Sequence, residues 1–182
     1  MTLDLIAILV ALVAFGFFAL RRLRRYLHFY QQDEYDSRRF ALWMRDSFAI
    51  DKKVSLALLA VLIIGGVLQS VPWAFAGWSG VVLLFATSFE PDPRKAGKKP
   101  LVMTKRASSI FWLAFVAALL IALGAPFVFG PWSWVVAVQA LPFCLMLANA
   151  ILAPFEAKTQ KFFWDDAHQR LAQVAPKVIG VT

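Results

Sequence analysis

The residues able to do chemistry in this chain are mostly arginine and lysine, and they come in blocks. Arg21-Arg22-Leu23-Arg24-Arg25 opens the first block, which continues through Arg38, Arg39 and Arg45 to Asp51-Lys52-Lys53. The second sets Arg94, Lys95, Lys98, Lys99, Lys105 and Arg106 against Glu90 and Asp92. The third follows Pro154 and holds Lys158, Lys161, Arg170 and Lys177. Such blocks attract anionic headgroups at about 1 kcal/mol per charge near a membrane surface. Gly97-Lys98-Lys99 is not a phosphate loop, because the upstream glycine and the following Ser or Thr are missing. His28 and His168 lie in different blocks, and the single cysteine, Cys144, sits in an apolar run. No disulfide, zinc site or other metal site is built from these three residues. Gln139 and Asn149 are neutral amides in the last apolar run. Their expected use is a hydrogen bond to a neighbouring helix; lining a substrate path is the sharper alternative.

The stretches between the blocks say what must position these charges. The chain is 60% hydrophobic and 16% charged, where a soluble domain carries about 25% charged residues. A net charge of +8 raises the question of nucleic acid, but the basic residues flank apolar runs, as the positive-inside bias requires. No nucleic-acid partner is expected. The reading is an all-α, polytopic helical membrane protein with five transmembrane helices, at about 3–20, 54–70, 74–89, 108–128 and 132–153. Val71-Pro72-Trp73 turns the second span into the third, and Gly124-Ala125-Pro126 with Gly130-Pro131 turns the fourth into the fifth. Trp73, Trp78, Trp132 and Trp134 mark the outer interface and Trp112 the inner one. Gly65, Gly66, Gly77 and Gly80 are read as helix-packing residues.

All nineteen Lys and Arg residues fall in residues 21–53, 90–107 or the tail after Pro154. Five spans with the N-terminus outside and the C-terminus inside put all three blocks in the cytoplasm. Residues 3–20 are followed, not preceded, by positive charge, which is the reverse of a secretory signal. Phe40, Trp43, Met44 and Phe48 recur at helical spacing, so the second half of the 21–53 block reads as an amphipathic helix lying on the membrane. The 90–107 block, with Pro91, Pro93, Gly97 and Pro100, reads as an extended loop. Residues 1–153 thus form the membrane module, and residues 154–182 a cytoplasmic extension.

The extension contains a connector helix over 156–174, with Phe155, Phe162, Phe163, Leu171 and Val174 at helical spacing. After Pro176 the β-branched run Lys177-Val178-Ile179-Gly180-Val181-Thr182 reads as a strand. One strand is not stable alone, so the expectation is a chain cut before the partners of that strand.

Val178-Ile179-Gly180-Val181-Thr182 resembles the first strand of the ATP-binding domain of the Mur ligase family, which runs into a glycine-rich phosphate loop. On that resemblance Thr182 is the first residue of a truncated ATP phosphate loop. Gln31-Gln32-Asp33-Glu34-Tyr35-Asp36-Ser37-Arg38-Arg39-Phe40, and Asn149 with Pro154-Phe155-Glu156, resemble a membrane-fused bacterial subgroup similar to the UDP-N-acetylmuramoyl-tripeptide–D-alanyl-D-alanine ligase. The resemblance implies an ATP- and Mg²⁺-dependent amide ligase in the full-length parent, working through an acyl phosphate in peptidoglycan precursor or related synthesis. This chain would be its non-catalytic anchor in the bacterial inner membrane, with no cofactor of its own. The implied partners are anionic headgroups, the missing ligase domains in cis, and a lipid-linked or cell-wall precursor. A stand-alone scaffold of an envelope complex is the alternative. A transporter subunit is a further one, disfavoured because no charge falls inside an expected span apart from Asp4 near an end.

Overall fold

A computed structural model of the chain describes residues 2–46, 51–68, 72–94 and 99–174. The expected terminal strand, Thr182 included, lies outside these residues, as do Phe48 and Gly97. The described residues form six α-helices and one short 3₁₀ turn, with no strand among them. The helices are α1 (Thr2–Gln32), α2 (Ser37–Asp46), α3 (Lys52–Val67), α4 (Pro72–Ser88), α5 (Lys105–Phe129) and α6 (Ser133–Val174). The chain divides into two compact units, Met1–Ala148 and Asn149–Thr182.

Helix α1 does not stop where its apolar run stops. The expected span over 3–20 is the first part of a 31-residue helix that carries Arg21 to Gln32 with it. No Gly or Pro interrupts the sequence after Gly16, and Arg, Leu and Gln are good helix formers. The stop comes at Glu34 and Tyr35, both left-handed at φ 57° and 61°. Two non-glycine residues in that region cost about 1–2 kcal/mol each. In return the Tyr35 N–H reaches the Tyr30 carbonyl at 2.9 Å, which closes the helix end.

Helix α2 starts at once, because Asp36 Oδ1 accepts from the Arg38 and Arg39 N–H groups at 2.7 and 3.1 Å. Its apolar face is the expected one, with Phe40 and Met44 buried. The aromatics hold this helix down on α1: Phe29 stacks on Trp43 with ring centroids 4.3 Å apart, and Tyr30 meets Phe40 at 4.9 Å. Tyr30 OH and Ser37 Oγ, 2.6 Å apart, add a hydrogen bond. The aromatics of α1 lie beyond the apolar run, so α2 buries its stripe against protein.

Helix α5 also overruns an expected turn. It passes through Gly124-Ala125-Pro126 and ends at Phe129. The chain reverses instead at Gly130, whose φ of +53° suits glycine and whose N–H donates to the Pro126 carbonyl. At the other end Thr104 caps α5, its Oγ1 accepting from the Ala107 N–H at 3.1 Å. Residues 99–104 form no helix or strand, as expected of that loop.

Three helices are long and apolar enough to cross a membrane: Leu5–Gln32, Lys105–Phe129 and Ser133–Gln173. Helices α3 and α4 have 16 and 17 residues, about 24 and 26 Å at 1.5 Å per residue. They fall below the roughly 20 residues that a full crossing takes, so the length criterion does not support the count of five.

Within the first unit, α5 buries Ala107, Ala114, Ala118, Ala122 and Ala125 together with Ile110 and Phe111, and exposes Trp112, Val116, Leu120, Leu123 and Phe127. Helix α1 buries Ala11, Ala14 and Ala19 beside Phe15 and Phe18, and exposes Leu5, Leu9, Val13 and Phe17. The alanines let the helices approach closely, as helix interfaces in membranes prefer, and the large apolar side chains left outside are the kind that lipid covers. Of the expected tryptophan markers, Trp78, Trp112 and Trp132 are exposed, but Trp134 is buried beside Phe15, with centroids 6.2 Å apart. Trp134 therefore belongs to the helix packing, not to an outer belt.

The described part of the second unit, 149–174, is helical. The expected connector over 156–174 is part of it, and Phe155, Phe162, Phe163, Trp164 and Leu171 are all exposed. An Arg170–Asp166 ion pair at 3.0 Å, four residues apart, supports the helix from outside.

Candidate functional site

The charges that the helices bring together are Arg22, Arg25, Asp51 and Glu90. Arg22 is on α1, two residues past its apolar run, and is only 9% exposed. Its Nη2 lies 2.7 Å from Asp51 Oδ2 and 2.5 Å from Glu90 Oε1. Arg25, one turn further on, faces the same Glu90 oxygen at 3.8 Å. One guanidinium nitrogen thus serves two buried carboxylates. The Arg22 guanidinium also lies over the Phe18 ring, 5.2 Å from its centroid.

Asp51 holds this junction from three directions. It is the N-cap of α3, with Oδ1 accepting from the Val54 N–H at 3.1 Å. Its other oxygen takes Arg22. Its carbonyl accepts from Gln139 Nε2 of α6 at 3.0 Å, and the same amide donates to Ser55 Oγ at 2.5 Å. Gln139 thus does what its expected role required, a hydrogen bond to a neighbouring helix. Gln139→Leu removes both bonds. A buried acceptor left unsatisfied costs about 1–3 kcal/mol, but Asp51 O keeps a bond from the Ser55 N–H at 3.4 Å, and interhelical bonds in membranes average about 0.6 kcal/mol. We expect a loss of about 1 kcal/mol in equilibrium unfolding from detergent micelles. A loss above about 3 kcal/mol would mean that Gln139 does more than bridge α6 to α3.

Glu90 follows α4 and is buried. Its Oε2 has no hydrogen-bond partner among the described residues. Burial pushes its carboxyl above the usual range and outweighs the opposing pull of Arg22 and Arg25; Asp51 adds to the rise. Because the folded protein holds this proton more tightly than the unfolded chain, the stabilisation is full below the unfolded carboxyl range, about pH 4.3. It is lost as pH rises through the folded value. Asp36 and Asp92 act in the opposite sense. Backbone N–H groups of Arg39 and Arg38 lower the first, and the Arg94 side chain and N–H lower the second. Their stabilisation is present above the unfolded range and is lost as pH falls through the folded values. Above the unfolded carboxyl range the Glu90 contribution therefore runs against the other two. The unfolding midpoint should rise as pH falls through the folded Glu90 value toward the unfolded range, and Glu90→Gln should flatten the rise. Equal slopes in the two proteins would contradict the assignment.

The two charged blocks meet elsewhere on the same face. Gln31 clamps the Val102 backbone, donating to its carbonyl at 3.0 Å and accepting from its N–H at 3.2 Å. Arg21 Nη1 donates to the Thr87 carbonyl at 3.1 Å. The Arg106 guanidinium lies 4.4 Å from the centroid of the Tyr35 ring. The expected platform of residues 21–53 and 90–107 is thus a joined surface in their described parts. Beside the ion cluster a cleft of about 800 Å³ opens, lined by Arg22, Arg25, Asp51 and Glu90 and by the apolar Val54, Ala57, Phe85 and Phe89.

This arrangement clamps and attracts; it does not assemble a nucleophile with a base. Cys144 is buried, and no three His, Cys, Asp or Glu side chains gather at a metal-sized site among the described residues. Sequence reasoning left Asp51, Glu90 and Arg22 unpaired. Asp51 did carry a signal, since an Asp just before an apolar periodic run is a helix-start residue. No protein-family model, curated protein or solved structure matches the chain.

Proposed function

We propose that this chain is a helical membrane module whose charged face is cytoplasmic, and that it anchors a Mur-type, ATP-dependent amide ligase of the bacterial inner membrane. The observation that carries the anchor reading is the Arg22–Asp51–Glu90 cluster. A buried cluster that locks α1, α3 and the loop after α4 together gives a rigid base on which a soluble domain can stand. The ligase part rests on the resemblance of Val178-Ile179-Gly180-Val181-Thr182 to the strand that enters the phosphate loop. ATP and Mg²⁺ then belong to that domain, with Thr182 at the start of its loop.

In this reading α3 and α4 cross as a short hairpin and complete five spans. Their shortfall of about 5 Å against a 30 Å core costs only fractions of a kcal/mol per Å, met by local thinning of the bilayer. The N-terminus lies outside and the 149–174 helix inside. Single cysteines in a Cys144→Ser background test the topology. Leu68→Cys, at the far end of α3, should react with a membrane-impermeant maleimide from outside, and Lys161→Cys only after permeabilisation. Protection of Leu68→Cys on intact cells would leave three spans. Peptide mapping from native membranes tests the ligase. The polypeptide should be of ligase size, with a peptide after Thr182 carrying Gly-x-x-Gly-Lys followed by Thr or Ser. A native product of 20.4 kDa would overturn the ligase and leave an envelope scaffold, for which the exposed Phe162, Phe163 and Trp164 would supply a docking face.

A further inference from the structure

The cleft beside the ion cluster has the composition of a lipid site, and this inference rests on the membrane reading above. Four cations line it, Arg22, Arg25, Lys52 and Lys53, against two carboxylates, Asp51 and Glu90. The carboxylates are engaged by Arg22 and Arg25, so the surplus charge is positive. Lys53 is exposed and makes no ion pair among the described residues. Arg25 is 44% exposed along its side chain and holds Glu90 only at 3.8 Å. The buried Nε of Arg22 has no hydrogen-bond partner among the described residues. The N-terminus of the 16-residue helix α3 also opens here, and its dipole favours negative charge.

Besides this charged floor the cleft has an apolar wall, made of Val54 and Ala57 on α3 and of Val82, Phe85 and Phe89 on and just after α4. Phe85 and Phe89 are 67% and 71% exposed and lean on each other, with centroids 4.7 Å apart. A free anion would use the floor and leave this wall in water. A neutral lipid would use the wall and leave Lys53 without an anion. The occupant that uses both is a phosphate joined to an acyl chain.

We propose that the cleft binds an anionic glycerophospholipid of the bilayer that the chain spans, with the phosphate between Arg25 and Lys53 and the start of an acyl chain against Phe85 and Phe89. The cations of the cleft then fix one lipid in place, beyond the diffuse attraction that sets topology.

Native mass spectrometry of the full chain, released from micelles containing phosphatidylglycerol and phosphatidylcholine in equal amounts, tests this directly. One phosphatidylglycerol per chain should be retained in preference to phosphatidylcholine. Arg25→Gln and Lys53→Gln should each lower that preference about fivefold, which is what one charge near a surface is worth. Ala57→Trp, which fills the apolar wall, should lower retention of both lipids. The thermal midpoint of each variant is read alongside, since none touches the Arg22–Asp51–Glu90 cluster except through the long Arg25–Glu90 pair. Equal retention of the two lipids by the unaltered chain would overturn the proposal. So would undiminished preference in the Arg25→Gln/Lys53→Gln double variant, or displacement by glycerol 1-phosphate as effective as displacement by the lipid. Release of the chain from membranes by alkaline carbonate would instead remove the membrane reading itself, and the site with it.

Discussion

Replacing Arg22 with alanine should destabilise the first unit by about 3–5 kcal/mol, the cost of leaving a buried charge without its partner. The figure sits at the upper end because two carboxylates lose their cation together. Asp51 and Glu90 are both buried, and among the described residues only Arg22 places its guanidinium within 3 Å of each. Arg25 cannot replace it, since it reaches only Glu90, and from 3.8 Å. Arg22→Lys should recover part of the loss, because the ammonium keeps the charge but not the planar guanidinium that lies over Phe18. The loss should also depend on pH. With the guanidinium gone, little restrains the upward push that burial exerts on Glu90, so the residue protonates more readily and relieves its own repulsion with Asp51. The penalty should be clearly smaller at pH 5 than at pH 7.5. Equilibrium unfolding in mixed micelles at the two pH values reads both effects. A penalty under about 1 kcal/mol, or one independent of pH, would mean that the cluster is not buried in the folded protein.

The neutral triple variant Arg22→Met/Asp51→Asn/Glu90→Gln separates charge from packing. Asparagine caps helices as well as aspartate does, so its amide oxygen can keep the bond to the Val54 N–H. Replacing a buried ionic group as a whole is often neutral or stabilising. The triple variant should therefore be far more stable than Arg22→Ala alone, although it carries three changes.

The helices were legible in the sequence because their causes are local. Thr104 caps α5, and the long apolar runs of α1, α5 and α6 leave little else to form. The sorting of charge was legible too, since block positions are a property of the chain itself. The pairing inside the blocks was not. Arg22 meets a residue 68 positions away in Glu90, and periodicity does not reach across a chain reversal. The course of α2 was hidden for a related reason. An amphipathic stripe shows that a face must be covered, but lipid and protein cover it equally well. Only the extension of α1 past Leu20, which brings Phe29 and Tyr30 opposite Trp43 and Phe40, decides between them. At Pro126 the usual helix-breaking inference fails, because the lost hydrogen bond falls near a helix end that the Gly130 N–H then closes. The count of spans stays open because α3 and α4 fall between a core helix and a full crossing.

The second large effect should come from a single glycine. Gly80 on α4 lies against α1, where an added Cβ would stand 3.3 Å from Ala11 Cα and 3.6 Å from Ala11 N. Both are backbone atoms, so no rotamer change makes room, and the helices must move apart. Gly80 sits in a buried seam, with Ala76, Ser79 and Leu83 on α4 and Ala11, Ala14 and Phe15 on α1. Two of the four glycines read as packing residues turn out to pack. Gly65 meets the Phe75 side chain, which can give, whereas Gly66 and Gly77 have nothing within 4 Å. That contrast supplies its own control. Gly→Leu in a helix interior gains up to about 1 kcal/mol of propensity wherever it is made. At Gly77 nothing opposes the gain, so Gly77→Leu should be neutral or slightly stabilising. At Gly80 the same gain must offset overpacking of about 1–3 kcal/mol and the looser packing along the seam as α4 separates from α1. Gly80→Leu should therefore lower stability by at least about 2 kcal/mol relative to Gly77→Leu, with Gly80→Ala in between. If the two leucine variants unfold alike, α1 and α4 do not touch at Gly80, and the inward-facing small residues need another partner.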